Sequence, residues 1–340
     1  MTAPSAEASP ARAVDWWGTE EACVRYGDKL ALDHVTFRAV PGQVSAVVGG
    51  DGAGRTTLLR CLAGALAVSS GQVRLPAPLR IGYLSAGSGT YPDLSVDENL
   101  AFRASAYRMP AAVARERSSE FVEQAGLGSA RARLAGQLSG GMRQKLGVIA
   151  AMLHQPDLLV LDEPTTGVDP VSRSDLWWLI ARAAADGAAV VLATSYLDEA
   201  ERAVGILALD NGRTLASGTP EEIIAAMPGT LRVSDARPEG EARRRSWRRG
   251  GRWRIWDPPA QPGPHITDFR HPNRDETDTI MTKIRNQSRS PGQPDQPDQA
   301  IPADPVGGAG RVVAPDLQDA VTVAILAREL ADHPEGGGPR

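Results

Sequence analysis

From about residue 21 to residue 230 the chain alternates short runs of β-branched and aliphatic residues with longer stretches whose apolar positions recur at helical spacing. That alternation predicts an α/β domain on a largely parallel sheet, and a stretch of this length buries roughly 70% of its surface on folding. Beyond Thr230 the pattern breaks. RPEGEARRRSWRRGGRWRIWDPP is basic and tryptophan-rich, and from about Asp257 to Gly310 prolines gather around PGQPDQPDQ with almost no apolar periodicity. Such a segment buries too little to offset its ordering entropy, which predicts a disordered insert. The last periodic element, PDLQDAVTVAILAREL from Pro315, sets Leu317, Val321, Ala324 and Ile325 on one face behind a helix-initiating proline, predicting a packed helix.

Composition narrows the class. The 340 residues are 42% hydrophobic and 23% charged, which excludes fibrous and wholly disordered chains. A formal charge of -4 gives no global attraction to nucleic acid or anionic lipid, so no nucleic-acid partner is expected. Cys23 and Cys61 are too few for a disulfide framework, no spacing suggests a metal site, and a reducing cytoplasm fits. His34, His154, His265, His271 and His333 likewise show no ligand spacing. The first 20 residues have no basic stretch followed by an apolar run and read as a loose leader. The longest apolar run, roughly Ala188 to Leu197, falls short of the ~20 residues that cross a bilayer, so work at a membrane requires another chain to supply the spans.

The segment VSAVVGGDGAGRTTLLRCLAG from Val44 reads as strand, glycine-rich loop, then a helix beginning near Arg55. This is the spacing of a phosphate-binding loop. Its glycines let successive backbone N–H groups converge on phosphate oxygens, and the helix N-terminus adds positive potential. Gly49, Gly50, Asp51, Gly52, Ala53, Gly54, Arg55, Thr56 and Thr57 are therefore the expected ATP-phosphate residues, with the Thr56 hydroxyl a ligand for Mg²⁺. Arg55 stands where lysine is expected. Its planar fork keeps the charge but not the compact shape, so it either substitutes adequately or weakens the site.

About a hundred residues later LLVLDEP, from Leu158 to Pro164, reads as a buried strand ending in two acids. That edge is where parallel sheets bind ligands. Asp162 is the expected Mg²⁺ holder and Glu163 the group that polarises attacking water. Between the two motifs, Ser139, Gly140 and Gly141 open a helix with apolar Leu146, Ile149, Ala150 and Leu153, presenting backbone amides to an anion.

GGDGAGRTT, LSGGM, LDEPTTGVDP and TSYLDEAE, in that order, resemble the nucleotide-binding subunits of ABC transporters, over roughly residues 21 to 230. The nearest likeness is to ATPases of multidrug and daunorubicin-resistance exporters, in particular the first cassette of chains carrying two. The resemblance implies a P-loop NTPase fold of ABC type with a helical subdomain, begun by the capping-box pattern Ser95–Glu98. It also implies a cassette, cytoplasmic and peripheral on the inner face of the membrane, that binds Mg-ATP and drives a separate transmembrane permease. In that family two cassettes close head to tail, each ATP lying between one chain's phosphate loop and the partner's LSGG residues. Tyr26 matches the aromatic that stacks on adenine, and Asp169 the acid that couples the two sites. A small C-terminal domain is expected, its strand in GGRWRIWDPP and its closing helix in APDLQDAVTVAIL, with Val321 nearest the family's missing phenylalanine. The implied organisation is a leader at 1–20, the nucleotide-binding domain at 21–230, the basic start of the C-terminal domain at 231–256, the low-complexity insert at 257–310, and the helix and tail at 311–340.

Three positions depart from the family around one γ-phosphate. Besides Arg55, the glutamine that contacts Mg²⁺ and the permease is Ala86, and the histidine that stabilises the γ-phosphate is Ser195. Weakened turnover at the chain's own site is the expectation, with an asymmetric pair in which it completes a competent partner cassette. A homodimer in which Glu163, Arg55 and Ser195 suffice for modest hydrolysis stays open. So do a non-hydrolysing regulatory cassette and a soluble non-transport ABC ATPase.

Overall fold

The computed structural model describes residues 15–259 and 310–332. The start of the leader, nearly all of the low-complexity insert, the tail, and His265, His271 and His333 lie outside the described residues.

Three sheets organise the chain. The central one has six strands: β3 (Val44–Gly49), β5 (Ile81–Leu84), β6 (Leu158–Asp162), β7 (Ala189–Thr194), β8 (Gly205–Asp210) and β9 (Arg213–Gly218). Their order is β5-β6-β7-β3-β8-β9, with every pair parallel except β8 and β9. A parallel sheet is covered on both faces, which is why its strands are almost unbroken apolar runs. Alternation then sorts them. Leu159 and Leu161 of β6 join one core with Val190, Leu192 and Ile206, while Leu158 and Val160 join a second with Val191, Leu207 and Leu209.

The second core is closed by α1 (Arg55–Leu62) and an antiparallel sheet of β2 (Lys29–Ala39), β1 (Trp17–Tyr26) and β4 (Ser70–Arg74), in that order. Leu58, Leu59 and Leu62 of α1 are fully buried, each contributing about 1.5–3 kcal/mol of apolar burial. The first core is closed by α2 (Val96–Ala106), α3 (Ala111–Gln124), α4 (Gly140–Met152) and α5 (Pro170–Ala185). Leu146, Ile149, Ala150 and Leu153 are buried as their spacing predicts. The start of α2 forms both bonds of a capping box: Ser95 Oγ accepts from Glu98 N–H at 3.2 Å, and Glu98 Oε2 accepts from Ser95 N–H at 2.7 Å. Ser95→Ala should cost about 1 kcal/mol in a denaturant titration.

Beyond β7 lie α6 (Leu197–Ala200) and, after β9, α7 (Pro220–Ala225). A third, antiparallel sheet runs β11-β12-β10-β13, from β10 (Thr230–Ser234), β11 (Ser246–Arg249), β12 (Arg252–Asp257) and β13 (Arg311–Val313), with α8 (Gly240–Arg244) between β10 and β11. The basic, tryptophan-rich stretch is thus mostly a β11–β12 hairpin. The final helix α9 (Leu317–Asp332) packs on α6, α7 and β9. Its buried set is Leu317, Ala320, Val321 and Val323, whereas Ala324 and Ile325 are only half buried. Neighbours on two sides widen the apolar face beyond the stripe read from spacing. Asp319 of α9 is fully buried in the chain and pairs with Arg254 and Arg249 of the hairpin. Among the described residues no helix is long and apolar enough to cross a membrane.

Candidate functional site

The loop after β3 is held by its own backbone: Ala53 N–H reaches Gly50 O at 3.2 Å, and Gly212 N–H reaches Ala53 O at 3.0 Å. Gly54, at φ 104°, caps α1 in the left-handed region, and a Cβ there would lie 2.7 Å from Ala31 O. Only glycine fits that turn. Gly50, Asp51 and Gly52 face solvent, leaving this stretch of loop open to an anion.

Arg55, at the first turn of α1, turns toward the end of β6. Its Nη1 donates to Glu163 Oε1 at 2.6 Å, with the Arg55 side chain only 11% exposed. The other carboxylate oxygen, Oε2, accepts from Thr166 Oγ1 at 2.7 Å. Both oxygens of the expected base are therefore engaged. Glu163 itself sits at φ 52°, a left-handed conformation rare outside glycine, with its N–H held by Ala193 O at 3.0 Å.

Asp162, one residue earlier, is buried, and its Oδ2 has no hydrogen-bond partner among the described residues. Burial pushes its pKa up, against the lowering effect of the Thr56 hydroxyl beside it. A desolvated carboxylate oxygen without a donor, next to a hydroxyl, is the donor set a hard divalent cation takes. Thr56 and Asp162 thus fit Mg²⁺.

Ser195 stands exposed just beyond β7. Ala86, exposed past β5, offers no polar side-chain atom. Tyr26 is half exposed at the tip of the β1–β2 hairpin, and Arg60 lies on the solvent face of α1.

A second group forms elsewhere on the chain. Ser139 caps α4 by accepting from Met142 N–H at 3.2 Å. Asp169 caps α5 by accepting from Val171 and Ser172 N–H at 3.1 and 3.0 Å. The two caps are packed together, because a Cβ on Gly141 would come within 2.9 Å of Ser172 Oγ and 3.4 Å of Asp169 Oδ2. Among the described residues no hydrogen bond or ion pair joins this group to Arg55, Asp162 and Glu163. The two groups are thus distinct among the described residues.

Sequence reasoning passed over Glu199, although it lies inside TSYLDEAE. Buried after β7, it accepts through Oε2 from Thr165 Oγ1 at 2.6 Å and Thr194 Oγ1 at 3.0 Å, and Arg173 Nε lies 3.5 Å from its other oxygen. It braces the loop that carries Glu163 against the loop that carries Ser195. The available signal was an acid at an apolar helical position, unreadable without knowing which loops it would meet.

The family model described as ABC transporter matches residues 32–166. The chain is 37% identical over 223 residues to the probable multidrug ABC transporter ATP-binding protein YbhF of Escherichia coli (strain K12), covering 63% of this chain and 39% of that protein. It is 36% identical over 216 residues to the daunorubicin resistance ATP-binding protein DrrA3 of Streptomyces coeruleorubidus, covering 60% of this chain and 68% of that protein. It thus spans about two fifths of YbhF and about two thirds of DrrA3. Among solved structures, an ATP binding subunit of an ABC transporter matches with a TM-score of 0.58 at 26% identity, over 62% of this chain and 92% of that one.

Proposed function

The chain belongs to the ABC transporter ATP-binding proteins, and on that footing we propose that it binds Mg-ATP between paired cassettes to drive a separate export permease, while its own site turns over slowly. The names of YbhF and DrrA3 support the export reading. Two half-sites with no bond between them support pairing, since a phosphate loop and an LSGG patch that do not meet in one chain can meet across two. We place the pair on the cytoplasmic face of the membrane, beside the permease.

The observation that carries slow turnover is the Arg55–Glu163 ion pair. The phosphate loop and α1 N-terminus bind the triphosphate through backbone N–H groups. Thr56 and Asp162 would hold Mg²⁺, which when bound would supply positive charge to the phosphoryl oxygens. Glu163 must accept a hydrogen bond from the attacking water, and for that Arg55 and Thr166 must release it. Ser195 offers one neutral hydrogen bond where a second fixed charge would stabilise the transition state. The LSGG patch with Asp169 is intact, so the chain can complete a competent partner cassette, and a heterodimer follows more naturally than a homodimer.

Single-turnover hydrolysis of Mg-ATP by the purified chain, against Glu163→Gln with binding measured in parallel, tests this. ATP binding is expected with turnover close to the Glu163→Gln level. Fast turnover that Glu163→Gln abolishes would overturn the asymmetric pair and make Arg55 and Ser195 working replacements.

A further inference from the structure

We infer that the β1–β2 hairpin holds a site for a thiophilic divalent cation of the zinc class, built from Cys23, Asp33 and His34. Ala22 of β1 pairs with Val35 of β2, and Val24 with Leu32. Between those pairs one residue of β1, Cys23, faces two of β2, Asp33 and His34, which is a β-bulge. His34 takes the left-handed conformation the bulge demands, at φ 52°. The outcome is convergence: a thiol sulfur, a carboxylate oxygen and an imidazole nitrogen lie within 4.8 Å of one another. No spacing rule reads this from sequence, because the residues come from two strands ten and eleven positions apart.

Each group is disposed for ligation. The backbone N–H of His34 donates to Cys23 Sγ at 3.3 Å, which fixes the sulfur within the bulge. His34 Nδ1 lies 2.8 Å from Asp33 Oδ1, and Arg213 Nε fixes the other carboxylate oxygen at 2.5 Å. Both oxygens of Asp33 are thus held in place by neighbouring side chains. Arg213 is the cationic neighbour the ion must tolerate, and its bond to Oδ2 leaves Oδ1 for the site. Cys23 is buried beneath a His34 side chain that is 68% exposed, so an ion enters from the imidazole side. Sulfur, imidazole and carboxylate together select zinc or cobalt over magnesium or calcium. Binding releases the thiol proton and replaces the His34–Asp33 bond, with water in the open fourth position. This site shares no residue with the phosphate loop, and its test does not depend on nucleotide turnover.

Co²⁺ titration of the reduced, metal-free full chain is the test, because sulfur-to-cobalt charge transfer reports thiolate ligation directly. Cys61 does not confuse the signal, being buried in the core with its thiol pushed up to about 11. Saturable charge-transfer and ligand-field bands are expected, reversed by Zn²⁺ and not by Mg²⁺, absent in Cys23→Ser, and weakened ~10–100-fold in His34→Asn. Asparagine tolerates the left-handed backbone, so that variant keeps the bulge. Absence of charge transfer in the wild-type chain, or an unchanged titration in His34→Asn, would overturn the site.

Discussion

Arg55→Lys combined with Ser195→His is expected to raise single-turnover hydrolysis on the order of 10²–10³-fold, the usual effect of one preorganised charge at a developing anion. Lysine cannot reproduce the guanidinium fork, so it both suits the phosphate site and loosens the hold on Glu163. Ser195→His adds a second charge beside it. The two gains fall within one catalytic unit and will not multiply. Adding Glu163→Gln to the double variant should return turnover to its starting level, which separates restored chemistry from tighter binding. Unchanged turnover with ATP still bound would mean that the ion pair is not what slows the site.

Removing the brace is the largest expected structural effect. Glu199→Ala leaves two buried hydroxyls without their acceptor and Arg173 without its carboxylate, a loss of ~2–3 kcal/mol in denaturant unfolding. Glu199→Gln keeps the shape and should cost less. The pH dependence has a definite sign. Burial raises the Glu199 pKa above its ordinary 4.5, against the lowering effect of Thr165, Thr194 and Arg173. A carboxyl whose folded pKa is raised contributes stability that is full below the unfolded value and is lost as pH rises through the folded one. The stability difference between wild type and Glu199→Gln should therefore change between about pH 4.5 and the raised folded pKa, in the direction that favours wild type at the acidic end. A difference flat across that window would mean the carboxyl is not desolvated.

The legible parts of this molecule were the local ones. Gly54, the Ser95 cap and the Leu158–Asp162 run each state their conformation within a few neighbouring residues, because turn sterics, capping and strand burial are short-range physics. The apolar face of α9 was half legible: its period is local, but its width depends on what packs against it. Three features were not legible. Arg55 and Glu163 are 108 positions apart, Glu199 meets Thr165 across 34, and the Cys23–His34 cluster depends on a bulge. The family likeness placed Arg55 and Glu163 near one phosphate, yet it gave no reason for them to bond each other, since the departure from lysine is what supplies the fork.

The left-handed turn at Glu163 sets a limit on how stable this chain can become while it keeps a carboxylate at the end of β6. A non-glycine residue held there costs roughly 1–2 kcal/mol, and glycine would relieve it while deleting the carboxylate. Selection for heat resistance alone would therefore push this position toward glycine. A stabilised descendant that still keeps glutamate at residue 163 would reveal a continuing demand for the acid.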